Sequence, residues 1–468
     1  MKTLILSFLI FINFSTGTIA QELQGSWKGT LEVMGQKLPL IFHFDLDGEE
    51  WKGTMDSPNQ GAKGIPLSKV LYNGLMLNFE LAVGGISYEG LFVDENIKGT
   101  FKQSGMSFPL DLTKDINENN QNKQVNRPQH PKPPFEYLEI PIAFKNEKGG
   151  IQLNGLITKP HGEGPFPAVV LVTGSGPQDR NSEIFGHQPF LVIADYLTNQ
   201  GIVVLRYDER GVGESEGQFS SATSLDFKDD ALFALEYLRS QSFVDNQKVG
   251  VIGHSEGGLI AWLIGAERSK VDFLVALAPP VVPIPDLMLK QTEDISRSSG
   301  SPQELVSQQV SINRKFYNLI TTSKSSDEAL SGIPDLVDEI MSGYGLEKEI
   351  LEQQANSLSS TFEKSINPWF YNFIKTNPEE YISKINVPTF AGFGGKDLQV
   401  NASQNGNRLV ELFQLRSDLL ELKVYPELNH LFQKANTGAV SEYEKIEETF
   451  NLEVLQDIAF FINGISGI

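Results

Sequence analysis

The sequence predicts an α/β domain on a mainly parallel, eight-stranded sheet, carrying a helical cap insertion and preceded by a small all-β antiparallel domain. Two textures and the boundary between them predict it. Short alternating runs broken by turn pairs fill 21–114, whereas from 136 to 468 apolar runs of strand length alternate with helical patterns. The boundary, 115–135, is asparagine-rich and then proline-rich, and reads as a linker stiffened in its second half by polyproline geometry. A chain of 468 residues, 40% of them hydrophobic, exceeds what one core usually serves, so at least two folded units are expected.

Residues 1–20 read as a secretory signal peptide. Lys2 precedes an apolar run from Leu4 to Phe14, followed by small and polar residues through Ala20. The run is shorter than the roughly 20 residues of a spanning helix. No stable membrane insertion is therefore expected once it is removed, and the expected location is secreted or periplasmic. The absence of cysteine excludes disulfide staples, a lipid-anchoring thiol, a thiol nucleophile and thiolate metal sites. A formal charge of -21 repels phosphate backbones and anionic lipid, so nucleic acid is not expected as a partner.

Within 21–114 the clearest strand is 37–46, where Leu38, Leu40, Phe42, Phe44 and Leu46 occupy alternate positions and so share one face. Met34-Gly35, Asp47-Gly48, Asn73-Gly74 and Gly84-Gly85 mark hairpin turns. A Lys-Gly-Thr echo at Lys28, Lys52 and Lys98, twice preceded by tryptophan (Trp27, Trp51), suggests a repeated hairpin position in a barrel or sandwich of about eight strands. The aromatic residues are expected in its core rather than in a ligand groove.

After the linker, eight strands are predicted at 137–144, 151–158, 168–173, 202–207, 248–253, 273–278, 389–394 and 420–425, with helices between most of them. Between 278 and 385 no strand-like run occurs. Polar helical stretches at 302–320, 334–341 and 347–358 replace it, which reads as a helical cap over about 283–384.

The chemistry-bearing residues follow from this series. Gly-x-Ser-x-Gly occurs twice, and context separates the two matches. Gly253-His254-Ser255-Glu256-Gly257 follows a strand and opens a helix, the turn that lifts a serine hydroxyl above a sheet; Gly213 to Gly217 lies in a loop, so Ser215 is read as structural. A serine needs a base to take its proton, and in this arrangement the base lies downstream. Of six histidines, His430 alone lies beyond Ser255, in a loop after the last strand. Between them Asp397 ends the strand after the cap in a glycine turn, placed to orient His430. The oxyanion would accept from the backbone amides of Glu256 and Ser175, with Gly176 as the alternative to Ser175. Trp369 and Phe370 interrupt an otherwise polar insertion and are read as substrate-pocket residues.

Gly174-Ser175-Gly176-Pro177, Leu205 to Ser215 and Gly253 to Gly258 together resemble the secreted bacterial α/β-hydrolases of the carboxylesterase and serine aminopeptidase-like, prolyl-oligopeptidase-related group. The resemblance covers roughly Phe135 to the C-terminus. It implies the α/β-hydrolase fold, an acyl-enzyme mechanism, no cofactor and a structural Ser215. The leading expectation is a carboxylesterase acting on short-acyl esters, its partner a small-molecule or glycan ester. A peptidase or amidase with the same triad is the alternative. A glycan- or partner-binding protein with secondary hydrolase activity is the third.

Overall fold

The computed structural model describes residues 23–33, 36–47, 50–58, 62–73, 75–81, 85–93, 96–103, 106–114, 126–267, 269–343 and 348–465. The expected leader at 1–20, the turn residues Met34, Gly35, Gly48, Gly74 and Gly84, and the linker from 115 to 125 lie outside them. The chain divides into two compact units, Met1–Gln124 and Val125–Ile468.

The first unit is one antiparallel sheet of ten strands among the described residues: β1 (Gly25–Val33), β2 (Gln36–Asp47), β3 (Glu50–Ser57), β4 (Ala62–Pro66), β5 (Lys69–Tyr72), β6 (Met76–Leu81), β7 (Ile86–Val93), β8 (Asn96–Gln103), β9 (Met106–Pro109) and β10 (Leu112–Lys114). The order is β4-β3-β2-β1-β10-β8-β7-β6-β5, with β9 on β8. Leu40, Phe42 and Phe44 on one face of β2 meet Phe79 and Tyr88 in the core, as the alternation requires. The Lys-Gly-Thr echo falls inside strands β1, β3 and β8 rather than at hairpin positions. At Gly99 the reason is contact: a Cβ there would lie 2.1 Å from the Tyr88 hydroxyl. Trp27 is buried, while Trp51 and Tyr72 lie edge to face on the wall of a groove of about 810 Å³ between β3 and β5.

The second unit starts within the expected linker. Arg127 donates to the carbonyls of Phe185 at 3.0 Å, Glu444 at 2.8 Å and Ile446. Gln129 accepts from the amides of Thr449 and Phe450 and donates to the Phe450 carbonyl. Loop carbonyls need donors, and these two side chains supply them, so the stretch from Arg127 is fixed to this unit instead of acting as a free spacer.

Its sheet contains β11 (Tyr137–Asn146), β12 (Ile151–Pro160), β13 (Phe166–Val172), β14 (Val203–Tyr207), β15 (Val244–His254), β16 (Phe273–Leu277), β17 (Thr389–Gly394) and β18 (Leu420–Tyr425), ordered β11-β12-β14-β13-β15-β16-β17-β18. β12 pairs antiparallel with both β11 and β14, and the remaining pairs are parallel, so seven of the eight strands run in one direction. Every residue of β14, β16 and β17 is buried, which is why these strands read as continuous apolar runs rather than alternating ones. Helices α1 (Pro189–Asn199), α2 (Ser224–Arg239) and α3 (Glu256–Gly265) cross between early strands. Between β16 and β17 lies the insertion: α4 (Ile284–Ser298), α5 (Gln303–Thr322), α6 (Ser326–Ser331), α7 (Ile333–Met341), α8 (Lys348–Ser365), α9 (Pro368–Ile374) and α10 (Glu379–Ile382). The carboxyl ends of the parallel strands β13, β15, β16, β17 and β18, consecutive in the sheet, therefore open toward one edge, where open α/β sheets carry their ligands.

Candidate active site

Ser255 joins β15 to α3 with φ 57° and ψ -118°, a conformation that costs a non-glycine residue on the order of 1–3 kcal/mol. Packing outweighs that strain. Leu259, Ile260, Trp262, Leu263 and Ile264 of α3 are all buried, and a large apolar side chain contributes about 1.5–3 kcal/mol on burial. The amide of Ser255 donates to the Leu277 carbonyl at 2.9 Å, and its carbonyl accepts from Gly258 at 2.9 Å. Gly257 must be glycine because a Cβ would lie 2.1 Å from the Val172 carbonyl oxygen.

Asp397 and His430 come from the turns after β17 and β18. Gly395 donates to the Tyr425 carbonyl at 2.7 Å and Lys396 to that of Leu428 at 2.9 Å, which ties the two turns together. His430 Nδ1 donates to Asp397 Oδ2 at 2.8 Å, both side chains being buried. The other carboxylate oxygen accepts from the amides of Gln399 at 2.7 Å and Val400 at 2.9 Å. Asn429, fully buried, accepts from the amides of Leu431 and Gln433 and so shapes the loop that carries His430.

Sequence reasoning missed a second histidine here. His254 Nε2 donates to the His430 carbonyl at 2.8 Å, and the two rings lie 4.8 Å apart. Burial, and then the neighbouring His430, push its pKa down to about 3, so it stays neutral and serves as a fixed donor.

A cavity of about 250 Å³ brings Ser255, His430, Ser175, Glu256, Trp369 and Phe373 onto one surface. Asp397 stands behind His430, and Gly176 falls outside the described lining. Trp369 and Phe373, four residues apart, share the face of α9 that meets the cavity; Phe370 points elsewhere and stacks 6.2 Å from Phe316. Within the lining Glu256 is the one carboxylate, and it is already engaged. It accepts from Ser175 Oγ at 2.7 Å, Ser224 Oγ at 2.6 Å and Trp369 Nε1 at 2.8 Å. Burial raises its pKa. Glu209, also buried and pushed up to about 8, accepts from the Thr173 hydroxyl and from the Gln178 amide at 3.0 Å.

Ser215 lies in the loop after β14, where its hydroxyl donates to the Asp208 carbonyl at 2.7 Å and accepts from Asn154 at 2.9 Å. Arg180 pairs with Asp208 and Glu214, not with the adjacent Asp179. No group of three or more His, Asp or Glu is arranged to hold a metal ion among the described residues, and no helix among them is long and apolar enough to cross a membrane.

The mainly parallel sheet, with a strained serine at a strand-turn-helix elbow and a hydrogen-bonded His-Asp pair on later strand ends, gives the second unit the α/β-hydrolase fold. Residues 188–330 match the family described as Serine aminopeptidase, S33, a span that includes Ser255 and ends before Asp397. The chain is 30% identical over 315 residues to Esterase EstD of Thermotoga maritima, covering 66% of this chain and 64% of that protein. It is 32% identical over 184 residues to mouse Dipeptidyl peptidase 8, covering 37% of this chain and 20% of that protein. Among solved structures, the esterase Pf2001 of Pyrococcus furiosus aligns over 73% of this chain and 97% of its own, at 17% identity and a TM-score of 0.42.

Proposed function

We propose that the protein is an exported serine hydrolase that cleaves small, uncharged, short-acyl esters through an acyl-enzyme on Ser255. In this reading His430 Nε2 takes the proton of Ser255 Oγ as that oxygen attacks the acyl carbon, and Asp397 fixes the imidazole and stabilises its protonated form. The amides of Glu256 and Ser175 donate to the oxyanion, each such donor contributing about 10²–10³ in rate. Collapse expels the alcohol, which takes its proton from His430; water then repeats the sequence to release the acid.

The observation that carries ester over peptide is the occupancy of Glu256. An aminopeptidase must hold a substrate ammonium, and an unpaired buried charge costs several kcal/mol. The cavity's described lining offers one carboxylate, and three donors from the protein already use it. The similarity to Esterase EstD supports the same choice. Peptide or amide cleavage is the second reading, favoured by the description of the family matched at 188–330. Comparing kcat/KM for p-nitrophenyl esters with that for aminoacyl p-nitroanilides tests the choice. Acetate or butyrate esters should exceed the anilides by at least about a hundredfold; parity would make the protein a peptidase.

A further inference from the structure

Glu256 supplies one of the two proposed oxyanion amides, and Ser175 supplies the other. Their side chains are bonded to each other, Ser175 Oγ to Glu256 Oε2 at 2.7 Å. A bond between the side chains of two residues limits how far apart their backbones can drift. The nucleophile turn itself does not demand this residue type, since packing against α2 and β13 would be met by an apolar side chain without the desolvation cost of a carboxylate.

The rest of the oxyanion turn is held in the same way. Glu209 engages its two ends, through the Thr173 hydroxyl and the Gln178 amide, and Glu256 engages its middle. Glu256 has two further donors from other parts of the fold. Ser224 is the first residue of α2, and Trp369 belongs to α9 of the insertion, where its ring also stacks on Phe373 at 5.0 Å. One carboxylate thus joins the seat of the insertion to the spacing of the oxyanion donors.

Building on the serine-hydrolase reading above, we propose that Glu256 is a positioning residue that couples the seating of Trp369 to the geometry of the oxyanion hole. With the indole bonded to Oε1, the carboxylate is fixed and holds Ser175 at the distance the tetrahedral intermediate requires. Without that bond Oε1 keeps only Ser224 as a donor, on the α2 side, and the carboxylate loses the contact that fixes its setting toward Ser175, so the brace on the Ser175 amide slackens. The coupling acts on the transition state, in which the oxyanion is fully charged, more than on the bound ester.

A double-mutant cycle tests this on the full chain, with p-nitrophenyl acetate as substrate. Trp369→Phe keeps the ring and its stacking but removes the N–H; Ser175→Ala keeps the backbone amide but removes the hydroxyl. Each should lower kcat by about tenfold with KM within about twofold. The double variant should fall no further than about tenfold, because both changes cut one chain of bonds. Glu256→Gln, which can accept from Trp369 and donate to Ser175, should recover most of the activity that Glu256→Leu loses. Independent losses that multiply to about a hundredfold, or losses confined to KM, would overturn the coupling. So would equal kinetic loss in Glu256→Gln and Glu256→Leu. If Glu256→Leu does not fold, the Trp369 and Ser175 cycle still decides. Phosphonylation of Ser255 in the parent protein keeps the two levels apart: its failure would remove the serine-hydrolase reading, whereas multiplicative losses in a protein that is labelled would remove the coupling alone.

Discussion

His254 sits one position before Ser255 and holds the His430 loop through its bond to the His430 carbonyl, which its position in the motif does not reveal. His187 is likewise buried, its Nε2 donating to the Tyr443 carbonyl at 2.8 Å and its Nδ1 pairing with the Thr449 hydroxyl. Burial pushes His187 down to about 4, as it pushes His254 to about 3. The unfolded chain binds these protons near the ordinary pKa of about 6.5, the folded chain only well below it. Their contribution to stability is therefore complete above pH 6.5 and is lost as pH falls from there toward 4 and then 3. Tm should fall over that window, with each histidine contributing on the order of a few kcal/mol. His187→Gln, which retains a donor for the Tyr443 carbonyl, should flatten the fall; an unchanged slope in calorimetry would assign the loss to other groups. The placement of Ser255, Asp397 and His430 at successive strand ends was legible because the proposed roles have a fixed order along the chain. The side-chain roles of His254 and Glu256 were not. Their partners lie 176 residues away at His430 and 81 residues away at Ser175, contacts that only the folded sheet creates.

At the scale of elements, the eight strands of the second unit were predicted to within a few residues: β14, β16 and β17, buried on both faces, write themselves as apolar runs, and β11, buried on one face, alternates. The first unit was harder. About eight strands were expected and ten are formed among the described residues, since β9 has four residues and β10 has three, too short to show a pattern of their own. The insertion was visible as helical texture, but which of its side chains meet the cavity was not. The period of α9 puts Trp369 and Phe373 on the cavity and turns Phe370 into a cluster with Phe316 and Tyr317. Trp369→Ala should accordingly change preference among esters, favouring longer acyl groups by about tenfold relative to acetate. Uniform loss across the series with a lowered Tm would mean that Trp369 only anchors the insertion.

For the whole molecule, two separate hydrophobic cores accompany the two compact units. A unit with its own core can fold by itself. Residues 125–468 expressed alone should fold cooperatively and hydrolyse p-nitrophenyl acetate with kcat/KM within about threefold of the full chain, because the proposed catalytic residues all lie in that unit. Loss of the folding transition, or of more than about a hundredfold in activity, would make the first unit part of the catalytic machinery.

Reaction with an active-site-directed fluorophosphonate, followed by peptide mapping, tests the central chemistry most directly. One phosphonyl group should be found, on Ser255, with ester hydrolysis abolished in step with its attachment and neither labelling nor turnover in folded Ser255→Ala. A phosphonyl group on Ser215, or ester hydrolysis that persists in Ser255→Ala at the parent rate, would contradict the assignment of Ser255 as nucleophile.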